Sequence, residues 1–193
     1  SSIDSIRVEK VNDKVRVVIS DGITVKAVEV AAGEEIIITG QVGTLELLAD
    51  NVKVYATAVE VKTAAVTGVN STLIVSKDSK IDEITATAKV SVSGEGTVAK
   101  VTLKEGANNS SITTAKTTIN VAEGVTGTKG TGGTAIAAGS TATNGATADA
   151  PAKVEAPAAG GGVGGGGSGE SKPEPTLTLD YSSVKIGGNT VTK

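Results

Sequence analysis

Few groups in this chain could do chemistry. It has no His, no Cys and no Met, so catalysis would fall to carboxylates, lysines and hydroxyls. The tightest acidic cluster is Asp78, Asp82 and Glu83. Paired carboxylates can divide acid and base roles, but Lys77 and Lys80 lie beside these three. A solvated, charge-balanced turn accounts for them. Gly94-Glu95-Gly96-Thr97-Val98-Ala99 matches the glycine-rich dinucleotide fingerprint. That motif needs a helix next, whose amides receive a pyrophosphate. Here Lys100-Val101-Thr102-Leu103 follows, a strand pattern, so the glycines read as a tight turn. The tract Gly160 to Gly169 lacks the Asp ligands of calcium-binding glycine-rich repeats and reads as a linker. Glu29, Glu46 and Glu60 each sit at the centre of an apolar triplet. Stacked in one row, each like-charge contact would cost about 0.8 kcal/mol at ~5 Å in water. Lys26, Lys53 and Lys62 lie near enough in sequence to offset part of this. A bound cation would explain such a row, and so would carboxylates that simply point into solvent. No catalytic residue, metal ligand or cofactor is expected.

The elements that carry these residues are short and repetitive. Val28-Glu29-Val30, Leu45-Glu46-Leu47, Val59-Glu60-Val61, Ile84-Thr85-Ala86 and Val101-Thr102-Leu103 form one series of triplets. Ile36-Ile37-Ile38, Val52-Lys53-Val54, Leu73-Ile74-Val75, Val90-Ser91-Val92 and Ile119-Asn120-Val121 form a second, interleaved series. The period within each run is 2 and β-branched residues dominate, which excludes helices. Gly33, Gly40, Gly43, Asn51, Gly68, Asn70 and Gly94 punctuate the runs as turn residues. Steps of about 17 residues between equivalent triplets indicate a solenoid. The expected fold is all-β, a parallel β-helix of about five or six short coils stacked at ~4.8 Å. Val28, Leu45, Val59, Ile84 and Val101 would form one buried ladder. An antiparallel β-sandwich, with the triplets joined as hairpins, is the competing arrangement.

Composition agrees with a stack of aliphatic rows. The chain of 193 residues has no Phe or Trp and only two Tyr, so Val, Ile, Leu and Ala must build the core. Net charge is −3 and no basic stripe appears, which argues against nucleic acid. No apolar run is long enough to span a bilayer. Three units are expected: a solenoid body over 1–125, a Thr/Ala/Gly/Pro-rich linker over 126–175, and a C-terminal strand segment over 176–193. Within the last, Thr176-Leu177-Thr178-Leu179-Asp180 and Val184-Lys185-Ile186 read as two strands around a pair too small to fold alone. They must pair with an edge, and Leu177, Leu179, Tyr181, Val184 and Ile186 are the residues expected to mediate assembly.

The chain begins Ser1-Ser2 without Met, as a secreted protein would after loss of a signal peptide, although other trimming would look the same. Asn70-Ser71-Thr72, Asn108-Asn109-Ser110 and Asn109-Ser110-Ser111 match the N-glycosylation acceptor pattern. Ile36-Ile37-Ile38-Thr39-Gly40 and Val90-Ser91-Val92-Ser93-Gly94, with the Thr/Ala-rich trailer and glycine-rich spacer behind them, resemble β-helical secreted cell-surface proteins of Gram-positive, Clostridium-like bacteria. The layout of body, spacer and spare strand is similar to that of strand-donating fibre subunits. That resemblance implies an extracellular structural protein, not an enzyme, whose partners are copies of itself and, in the wider setting, cell wall or polysaccharide. The alternative expectation is a cell-surface adhesin or carbohydrate-binding module using a flat, Thr-lined β-face around Thr85-Ala86-Thr87 and Thr102.

Overall fold

The computed structural model describes residues 1–10, 14–32 and 35–147, with the strand segments 177–180, 183–186 and 189–192. Strands follow one another with turns between them: β1 (Ser2–Lys10), β2 (Val15–Ile19), β3 (Thr24–Val30), β4 (Glu35–Leu47) and β5 (Lys53–Val66). They continue as β6 (Ser71–Val75), β7 (Lys80–Ala86), β8 (Val90–Ser93), β9 (Thr97–Leu103), β10 (Ser111–Ile112) and β11 (Thr118–Val121). Then come the short β12 (Thr128–Lys129), β13 (Ala135–Ile136) and β14 (Thr141–Thr143). The terminal strands are β15 (Leu177–Asp180), β16 (Ser183–Ile186) and β17 (Asn189–Thr192).

The body is a β-solenoid of about six turns, as the repeat of triplets predicts. One face stacks β1, β3, the second half of β4, the second half of β5, β7, β9 and β11, all parallel. The other stacks β2, the first halves of β4 and β5, β6, β8, β10 and β12, also parallel. Because side chains alternate along a strand, every second residue of each face points inward. Ile6, Val28, Leu45, Ala64, Ile84, Val101 and Ile119 form one inward ladder. Across from it run Val15, Ile36, Val54, Leu73, Val92 and Ile112. Both ladders belong to a single aliphatic core cluster. Fully burying one such Ile or Leu contributes about 1.5–3 kcal/mol, so the repeated rows supply the main cohesion.

Two expectations are corrected here. Val59 is buried, but the ladder through Leu45 passes to Ala64, because Val59 pairs with Gly40 at the bend of the neighbouring coil. For the same reason Glu60 is not in the carboxylate row. Glu29 faces Glu46, but the next position is Ala65, while Glu60 lies between Gln41 and Lys80. β4 and β5 each run continuously around both faces, so a triplet at similar spacing can belong to a different slot. Strands also continue beyond residue 125, through β12, β13 and β14. These segments are Thr-, Ala- and Gly-rich and lack the Val-x-Val signature, which is why the sequence pattern did not mark them as strands.

Turns are fixed by polar side chains in a repeated pattern. The buried hydroxyls of Ser71, Ser110 and Thr117 each donate to the carbonyl three residues earlier, on Gly68, Ala107 and Thr114, at 2.9, 2.7 and 3.0 Å. Asn51 and Asn70 sit in the left-handed region, at φ 58 in both cases, a conformation Asn tolerates better than most. Gly94 of the fingerprint-like motif has φ 113, and a Cβ there would lie 2.1 Å from the carbonyl oxygen of Val75. Its glycine is required by a close coil-to-coil approach, with no helix and no phosphate cradle behind it.

Candidate assembly site

The residues first suspected of catalysis are dispersed among ordinary ion pairs. Asp82 pairs with Lys80 at 2.7 Å and Glu83 with Lys100 at 2.8 Å. Asp78 is exposed in the turn before β7. Among the described residues no group of three or more His, Cys, Asp or Glu side chains could hold a metal. No helix among them is long and apolar enough to cross a membrane. Thr85 and Thr102 do pair in register, but their outward row begins Arg7, Glu29, Glu46, Ala65, so the Thr-lined portion is short.

The unusual chemistry of a solenoid lies at its ends, where backbone N–H and C=O groups lack the next coil. The first coil consists of β1 and β2, and the solenoid supplies each with a neighbour on one side only, β3 and β4 respectively. Their other edges are taken by the C-terminal strands. β15 runs antiparallel to β2, with Leu177 opposite Ile19, Leu179 opposite Val17 and Asp180 opposite Arg16. β16 runs antiparallel to β1, with Ile186 opposite Ile6 and Lys185 opposite Arg7. β17 closes the ribbon as a hairpin partner of β16, placing Val184 opposite Val191. In the structure these partners belong to one chain.

The register explains why this sequence suits the edge. Ile6, Val17 and Ile19 are inward positions, buried in the core cluster. Leu177, Leu179 and Ile186 are the residues that the register places opposite them. Of the five residues expected to mediate assembly, Leu177, Leu179, Val184 and Ile186 fall in these strands, and Tyr181 lies outside the described residues. Which edge they would meet was not readable from the sequence.

Charges surround the same rim. The Arg7 guanidinium contacts the Glu29 carboxylate and pairs with Glu9 at 2.9 Å. Its hydrogen bond to Glu29 chiefly raises the Arg7 pKa above its ordinary value. Lys26 reaches Asp4 at 2.7 Å, which holds the Asp4 carboxyl below the usual range and raises Lys26 in turn. The N-terminal ammonium donates to the Gly22 carbonyl at 2.9 Å and anchors the start of β1 on the second coil. No family model, no curated protein and no solved structure matches this chain.

Proposed function

We propose that the protein is a structural subunit that assembles head to tail, the ribbon β15–β17 of one copy sealing the first coil of the next. The observation that carries this reading is the identity of the ribbon's partners, β1 and β2, which are the terminal strands of the solenoid and belong to every copy. The ribbon is joined to the far end of the body only through residues 148–176. A chain of that length reaches at most about 100 Å. Six turns make a rod of only about 30 Å. The reach that serves the chain's own rim therefore also serves a neighbour's, and exchanging an identical element between copies needs no new contact. Because the donating and receiving surfaces differ, exchange is heterologous and propagates as a filament unless it closes into a ring. An extracellular bacterial setting, as in a fibre or surface array, fits a chain without Cys, Met or His.

The absence of Cys makes the test clean. Val18 lies opposite Thr178 in the antiparallel pair, and such pairs have Cα separations of about 4.5–5.5 Å, within disulfide range. The double variant Val18→Cys, Thr178→Cys is oxidised and run on a denaturing, non-reducing gel. Exchange predicts a ladder of covalently linked multimers. A single band of internally bridged monomer at every protein concentration would sink the proposal.

A further inference from the structure

A second site lies on the flank of the body, away from any strand edge. The outward corner position that Lys26 occupies on β3 and Lys62 occupies on β5 is filled by Gly43 on β4, between them. A Cβ at Gly43 would sit 2.6 Å from the Lys26 carbonyl oxygen, so the coil accepts no side chain here. The missing side chain leaves an open notch of about 370 Å³ over the backbone of Val42 and Gly43, with the Val42 side chain turned into the core. Its size is at the lower end of the ~300–1,000 Å³ typical of small-molecule sites.

The groups around the notch are chemically mixed. Lys26 stands on one side, already paired with Asp4. Lys62 stands on the other, exposed, with no ion pair among the described residues. Gln41 accepts the Thr24 hydroxyl on its side-chain oxygen at 3.2 Å, which orients the amide and leaves its nitrogen with two donors unused among the described residues. Glu60 completes the wall as a pure acceptor. A bare anion such as phosphate would meet the lysines but be repelled by Glu60. A neutral sugar would satisfy Gln41 and Glu60 but leave Lys62 unmatched.

We infer that the Gly43 notch binds a carboxylate-bearing sugar unit. The carboxylate sits between Lys62 and Lys26, ring hydroxyls donate to Glu60 and accept from the Gln41 amide, and the C–H face of the ring rests on the backbone at Gly43. This site uses coils of the body alone and does not depend on how the C-terminal ribbon is paired.

The test uses saturation-transfer NMR on glucuronate with the full-length protein, a measurement that tolerates large assemblies. Binding at a Kd of about 1 mM is expected for so few contacts. Lys62→Ala should weaken it about tenfold, as loss of one charge-assisted hydrogen bond predicts, and Gln41→Ala should weaken it also. Lys104→Ala, an exposed lysine outside the notch, should bind as the parent does. Thermal melts check that each variant is folded. No saturation transfer, equal transfer to glucose, or unchanged binding by folded Lys62→Ala would each overturn the assignment. None of these outcomes bears on strand exchange, which the disulfide experiment reads separately.

Discussion

The two ends of the solenoid are closed by different means. At the C-terminal end the chain turns back on itself at once. β13 pairs antiparallel with β12, and β14 with β11. Asn144 then plugs the last coil: its side-chain amide donates to the carbonyls of Ile112 and Thr114 at 2.7 and 2.9 Å, and its oxygen accepts from the Thr131 N–H at 3.1 Å. The outermost strands there have only two and three residues, too short to template another chain. At the N-terminal end β1 is nine residues long, and its seal comes from the other extreme of the sequence. A seal made by the adjacent chain has a very high effective concentration and cannot be exchanged. A seal on a long tether competes with the same segment from another copy, because effective concentration falls steeply with linker length. On the proposed reading, the end with the remote seal is the one that joins molecules.

The largest effect should come from removing that seal. Deleting residues 171–193 takes away the strands that pair with β1 and β2 outside the solenoid among the described residues, and sedimentation velocity should show assemblies replaced by a folded monomer. If the truncated chain still forms the same assemblies, contacts other than the ribbon hold them together. The matching change at the other end is Asn144→Ala. It leaves the carbonyls of Ile112 and Thr114 without the Asn144 donor in a buried setting, and should cost about 2–4 kcal/mol in denaturant unfolding. Assembly should survive it, since the C-terminal cap offers no exchangeable strand. Loss of assembly in a folded Asn144→Ala protein would mean that both ends take part in joining.

Much of the body was legible because it is periodic. Alternation of Val, Ile and Leu specified strands, and their repetition specified parallel stacking. The slot of an individual residue was less legible. Glu60 resembles Glu46 in local sequence, yet the continuous β5 places Ala65 beside Glu46. Register depends on how many residues each corner absorbs, and Thr57 with Ala58, the latter at φ 47, adds one at that bend. The C-terminal cap was invisible for another reason. Its bonds are made by Asn144, Thr114 and Thr117, and polar residues scattered through a Thr/Ala/Gly stretch have no period to detect. One signal was available in hindsight: a Ser or Thr three residues after a small residue, as in Gly68–Ser71 and Ala107–Ser110, marks a plugged turn. The rim as a site followed from physical reasoning about edges, whereas the ribbon's pairing with β1 and β2 required the structure.

The ends also differ in their response to acid, and this gives the smallest of the effects. The plug around Asn144, Thr114 and Thr117 contains no group that titrates in the acid range. The rim carries Asp4, whose carboxyl is held below its ordinary pKa by Lys26. A depressed folded-state value means the pair's contribution is present above the unfolded pKa of about 4 and is lost as pH falls through the lower folded value. Both partners are well exposed, at 81% for Asp4 and 65% for Lys26, so solvent and salt screen the contact and the contribution is slight. Asp4→Asn should therefore match the parent at the lowest pH, where the parent's carboxylate is already neutral, and fall slightly below it above pH ~4 at low salt. Adding salt to about 1 M, where the screening length shrinks to ~3 Å, should erase the difference. A difference that instead grows on acidification would show that Asp4 acts at the rim through something other than its charge pair with Lys26.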